Sequence, residues 1–214
     1  MPKQVDGEQR RADIADAVLR LAARDGLPAV SLRSVAAESG LNIGSVRHYF
    51  DGQRDLMRFA MRSTIDRVTA RLESRRASLH PFAELSPDEA ADQMTDFLAE
   101  LLPLDAARRA EATVLVEFLV AARVDTDLTE LAHEALRGTL TLARRITDAM
   151  TRRSLLPPGV ADLEAERLAA LLDGLTFRSA LQPEATTPEV CRAVLRAHLA
   201  SLRVRADPAA APDA

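Results

Sequence analysis

Arg47, His48 and Tyr49 stand in succession within "GLNIGSVRHYF", residues 40–50, on an apolar skeleton of Leu41, Val46 and Phe50. The arginine brings five N–H donors in a planar fork, the imidazole a donor and an acceptor, and the phenol a donor. Such groups suit the edges of bases and the oxygens of phosphates. Arg47 can donate twice to a guanine edge, Ser45 can bond a base or a phosphate, Tyr49 can donate to a phosphate oxygen, and Ile43 can touch a thymine methyl. Gly44 and His48 face outward with them, toward the groove or its rim. Other chemistry is hard to assemble from this chain. The four histidines, at 48, 80, 133 and 198, lack metal-ligand spacing, Cys191 has no base beside it, and no glycine-rich phosphate loop or nucleophile elbow occurs. No catalytic residue, metal or cofactor is assigned. An all-α enzyme and a helical adaptor whose helix-turn-helix serves protein contacts are the rival readings, and a mobility shift with its loss in Arg47→Ala separates them.

These side chains need a mount. Ile14, Val18 and Leu21 recur at helical spacing between Asp13 and Arg24, and Gly26 with Pro28 stops that first helix. Ser31 is an N-cap for a second helix through Ser39, Gly40 supplies the turn, and Asn42 caps a third, short helix to about Phe50. "DGQ" at 51–53 breaks the chain before a long helix over about 54–78. With Ala36 small at the crossing, Val46 as apolar plug and Leu41 and Phe50 tying down the ends, the spacing predicts a helix-turn-helix. A helix of about seven residues is about 10 Å long and fits a major groove about 12 Å wide. The helix N-termini at Ser31 and near Gln53 offer backbone N–H groups to phosphates.

Composition agrees. Hydrophobic residues make up 47% of the 214 and aromatic ones 3%, so the core is Leu, Ala and Val, which favours an all-α fold. The single cysteine suits a reducing compartment, no apolar run reaches the roughly 20 residues of a membrane helix, and "MPKQVDGEQRR" lacks a signal-peptide core. The expectation is a cytoplasmic protein away from membranes. Its net charge is −4, yet residues 1–80 hold 14 Lys and Arg against 10 Asp and Glu, and the remainder 14 against 22. That is a basic head on an acidic body.

Further helices are expected over about 88–102, 106–123, 126–153, 161–182 and 188–204, with Pro103, Asp127, Pro157, Pro158, Gly159, Pro183 and Pro188 at the joints. Residues 1–8 and the Pro/Ala-rich 206–214 fall outside the fold on this reading. Two domains follow, residues 9–52 for DNA binding and 53–205 for a helical body. In the last two helices apolar residues cover more than half the circumference, and a helix apolar on two faces needs two partners. Leu168, Leu171, Leu172, Gly174, Leu175, Val194, Leu195, His198 and Leu202 are the expected homodimer surface. Met94, Phe97, Leu101, Phe118, His133 and Phe177, chosen for bulk and helical phase, are the candidates to line a ligand cavity.

"SLRSVAAESGLNIGSVRHYFDGQRDLM" resembles the DNA-binding region of the TetR/AcrR transcriptional regulators: a small-residue helix, a Gly turn, then a Gly-Ser/Thr recognition helix ending in Tyr-Phe. The likeness covers about residues 10–58. The family often has Tyr where Arg47 stands and Lys where Gln53 stands; the first change adds a base reader and the second removes a phosphate contact. The resemblance implies DNA contacts from Ser31, Asn42, Ile43, Gly44, Ser45, Arg47, His48, Tyr49 and Gln53. It also implies an N-terminal three-helix helix-turn-helix domain with a C-terminal ligand-binding and dimerisation domain. The partners it implies are double-stranded DNA with a palindromic operator, a small-molecule effector and a second copy of the chain, acting as a ligand-responsive repressor. "LLDGLTFRSAL" is similar to a choline-responsive subset of that family.

Overall fold

A computed structural model describes residues 3–204. Among them the secondary structure is helical throughout: α1 (Lys3–Asp25), α2 (Leu32–Ser39), α3 (Ile43–Tyr49), α4 (Gln53–Ala77), α5 (Pro87–Leu98), α6 (Ala106–Ala121), α7 (Thr126–Arg152), α8 (Ala161–Leu181) and α9 (Pro188–Val204). Short 3-10 turns lie at Leu27–Ala29 and Ala99–Leu101. None of these helices is long and apolar enough to cross a membrane.

Side-chain caps set most of the starts. The Ser31 hydroxyl accepts from the Ser34 N–H at 3.1 Å, and the Ser34 hydroxyl accepts from the Ser31 N–H at 2.9 Å, closing a reciprocal box at the head of α2. Asn42 Oδ1 accepts from the Ser45 N–H at 2.8 Å, and Asp105 Oδ1 from the Arg108 N–H at 2.8 Å. Gly40 ends α2 in the left-handed region at φ 70, where a side chain would be strained.

The start of α1 differs from expectation. The sequence puts residues 1–8 outside the fold and the first helix over Asp13–Arg24, yet the helix begins at Lys3. Residues 8–12, EQRRA, are good helix formers that outweigh Gly7, and Gln9 donates to Asp13 one turn on, so a helix forms without a buried stripe. The Pro/Ala-rich 206–214 lies outside the described residues.

The described residues form two compact units. The first comprises residues 3–70 and 105–133, the second 71–104 and 134–204. The division at 52 read from the sequence is one of role; the first compact unit also takes in the start of α4 and α6, whose Val114 joins its core. That core is Ile14, Val18 and Leu21 from α1, Val35 and Ala36 from α2, Val46 and Phe50, Leu56 and Ala60 from α4, and Val114 from α6. The carboxylate of Glu117, on α6, accepts from the backbone N–H of Leu27 at 2.5 Å. Arg54 at the head of α4 pairs with Asp125 at 3.1 Å and Asp127 at 3.5 Å, and Arg67 pairs with Asp16.

In the second unit Phe97, Leu98 and Leu102 meet Ala143 and Ile146 of α7, Ala165, Leu168, Ala169, Leu172 and Leu175 of α8, and Cys191, Leu195, Leu199 and Leu202 of α9. Asp96 of α5 accepts from Arg75 of α4 at 3.2 Å and Arg192 of α9 at 2.5 Å. This corrects the expected homodimer surface. Leu168, Leu172, Leu175, Leu195 and Leu202 are buried within their own chain, and Leu171 and His198 are half-buried. Of the nine, Gly174 and Val194 are exposed. On a helix apolar over most of its circumference, sequence does not say which stripe turns inward. The uncovered stripe runs through Leu163, Gly174, Phe177 and Leu181 on α8 and Val190 and Val194 on α9.

Candidate nucleic-acid interface

Two short helices joined by Gly40 and Leu41 carry the candidate surface. Val46 is fully buried and Phe50 nearly so, its ring 5.1 Å from that of Phe59, so α3 is pinned at its middle and its end. The opposite face presents Gly44, Arg47 and His48 to solvent. The His48 ring meets Tyr49 edge-on at 5.2 Å, which orders the last turn of α3.

The other expected contacts fall into place unequally. Ser31, Asn42 and Gln53 are exposed at helix starts, with Ser31 and Asn42 already capping their helices. Ser45 and Tyr49 are half-buried. Ile43 is half-buried as well and, like Tyr49, packs against the core of the first unit. Positions 43, 46 and 50 recur at i, i+3 and i+7, so Ile43 shares the inward face of Val46 and Phe50, a phase that was readable from the sequence.

The cavity candidates divide between the two units. Met94, Phe97 and Leu101 pack in the second unit's core, whereas Phe118 is buried within the first unit. His133 and Phe177 are exposed. Bulk and helical phase select core residues as readily as pocket residues, and three of the six pack in the second unit's core.

Two residues near the interface escaped the sequence reading. Arg11 of α1 holds its guanidinium 5.7 Å from the centroid of the Tyr49 ring, and Glu117 ties α6 to the turn ahead of α2. The first lay beyond the assumed apolar period, and the second is separated from its partner by 90 residues.

Behind the surface, Glu38 of α2 accepts from Arg20 Nε at 2.9 Å and from Arg24 Nη1 at 3.1 Å. The hydrogen bond from Arg20, then that from Arg24, holds its carboxyl below the ordinary 4.5. A carboxyl lowered by folding stabilises the fold above its unfolded value, and that contribution is lost as pH falls through the lower, folded one. Melting temperatures taken down through this range should therefore fall more steeply for the parent than for Glu38→Gln, with the difference shrinking in high salt. Equal slopes would remove the pair from the acid response.

Residues 90–204 match the family model described as the C-terminal part of BetI-type transcriptional repressors. The HTH-type transcriptional regulator PksA of Bacillus subtilis is 33% identical over 205 residues, covering 95% of each chain. A transcriptional regulator from Rhodococcus sp. Rha1 shares the fold with a TM-score of 0.73 at 28% identity, covering 90% of this chain and 95% of that one. A regulator from Saccharomonospora viridis, crystallised in complex with choline, gives 0.72 at 20% identity, covering 89% and 95%. With a match of this length to PksA, a BetI-type C-terminal region and an exposed arginine on the second helix of a capped helix-turn-helix, the chain belongs to the TetR family of DNA-binding transcriptional regulators.

Proposed function

We propose that this regulator is a cytoplasmic, ligand-responsive repressor that grips a palindromic operator as a homodimer. Residues 9–52 serve as its DNA-binding domain and residues 53–205 as its effector-binding and dimerisation domain. The observation that carries the reading is α3 itself: pinned by Val46 and Phe50, it leaves Arg47 and His48 exposed on the opposite face. The partner copy is assigned to the uncovered stripe of α8 and α9, where Phe177 is 49% exposed and Gly174 has open space above it. Two copies related by a two-fold axis place two α3 helices about 34 Å apart, one helical turn of DNA.

An effector lowers operator affinity only as far as it prefers the released state to the DNA-competent one. Choline is the first compound to try, given the BetI-type C-terminal region and the choline complex of the Saccharomonospora viridis neighbour.

Selection of bound duplexes from a random pool, combined with sedimentation of the free protein and the complex, tests the reading. The expected result is an enriched inverted repeat with half-sites about one turn apart and a dimer in solution. Enrichment of an asymmetric site by a monomer would refute it. Release by choline in a mobility shift would identify the effector class, and release by none of a set of quaternary amines would exclude that class.

A further inference from the structure

Alongside α3 stands a cation on a different helix. Arg11 lies on the part of α1 that reaches beyond the apolar period, and it is exposed. Its guanidinium carbon sits 5.7 Å from the centroid of the Tyr49 ring, in the last turn of α3. The Tyr49 hydroxyl in turn lies 4.0 Å from where a Cβ on Gly7 would stand, so two successive turns of α1 flank one aromatic side chain. Tyr49 is half-buried against the core and cannot swing freely, and the guanidinium above it is thereby given a defined place beside the recognition helix.

We propose that Arg11 is a phosphate-binding residue, a clamp on the DNA backbone at the edge of the groove that α3 enters. A guanidinium held over a ring by cation–π attraction still has N–H donors to offer, and its fork matches phosphate oxygens. The place also fits. With α3 about 10 Å long in a groove about 12 Å wide, a cation one ring's breadth from its last turn stands where the flanking strand runs. Neighbouring cations are less suited. The guanidinium of Arg54, at the head of α4, is engaged by Asp125 and Asp127, and Gln53 beside it carries no charge. The assignment rests on α3 being the reading helix and adds to it a contact from α1.

The test is the salt dependence of binding by the full-length protein to a duplex recovered from a random pool. Each phosphate neutralised on B-DNA contributes about 0.9 to the slope of log K against log salt. Arg11→Ala should therefore flatten the slope by about 0.9 for each protomer bound, while Arg11→Lys, which keeps the charge, should hold the parent slope. A ring-packing role alone would shift affinity equally at every salt concentration. An Arg11→Ala slope equal to the parent's overturns the assignment, and so does an Arg11→Lys slope as flat as that of Arg11→Ala. Thermal melting of each variant confirms that the helix is intact, and Arg11→Gln serves in place of Arg11→Ala should the latter misfold. Failure of the parent itself to select any sequence would bring down the α3 reading as well, which separates the two failures.

Discussion

Arg47→Ala should abolish most of the preference for operator over random duplex while leaving the fold unchanged. Arg47 is exposed, so its removal uncovers no core and leaves no buried partner unsatisfied. A bidentate arginine contact to guanine discriminates by about 1 to 3 kcal/mol, and a two-fold complex contains two of them, so the loss is about 2 to 6 kcal/mol in specific affinity. Affinity for non-cognate DNA should drop far less, because that binding is backbone electrostatics. Competition between the selected duplex and random duplex at one fixed salt concentration reads the difference. A variant with undiminished preference would take base reading away from Arg47 and hand it to the amide, imidazole or hydroxyl groups around it.

Phe50→Ala should unfold the first unit under conditions where the parent is stable. The ring is 4% exposed and packs tilted against Phe59 at 5.1 Å, where α3 gives way to the turn before α4. Truncating a buried phenylalanine costs about 3 to 5 kcal/mol, against a total stability of about 5 to 15 for a domain. The urea midpoint of the parent should exceed that of Phe50→Ala accordingly, and DNA binding should weaken in proportion to the fraction of competent protein. Leu136→Ala is the control: that side chain is 42% exposed on α7, and its loss should change stability by about 0.5 kcal/mol or less and leave the midpoint close to the parent's. Equal midpoints for the two variants would contradict the pinning role given to Phe50.

Much of this architecture is written locally. Ser31, Asn42, Ser86 and Asp105 each cap the helix they precede, and Gly40 has the positive φ that its turn requires, so boundaries set by caps and breakers follow from a few residues each. The reading helix was legible for the same reason, since its cap, plug and terminal anchor fall within eleven residues. Legibility failed where the deciding contact is distant or the pattern is degenerate. Nothing near residue 114 or 117 says that α6 shares the core of α1 to α3, and nothing in α8 distinguishes Leu172, which is buried, from Phe177, which is not. The half-burial of Ile43 is a different case, for helical phase sets it beside Val46 and Phe50. The start of α1 was hidden because helix propensity without an apolar stripe leaves no periodic trace.

The hydrogen bond from Leu27 to Glu117 also has a consequence for biosynthesis. The two residues are 90 positions apart, and Val114 joins the same core, so a growing polypeptide emerging from the ribosome holds the first three helices well before their last packing partner exists. Long-range closure of this kind comes late and carries an entropic cost that local helix pairs do not. A nascent chain stalled short of α6 would present its arginine-bearing helix on an unfinished base, and competence to engage a promoter would arrive only after roughly half the message had been translated.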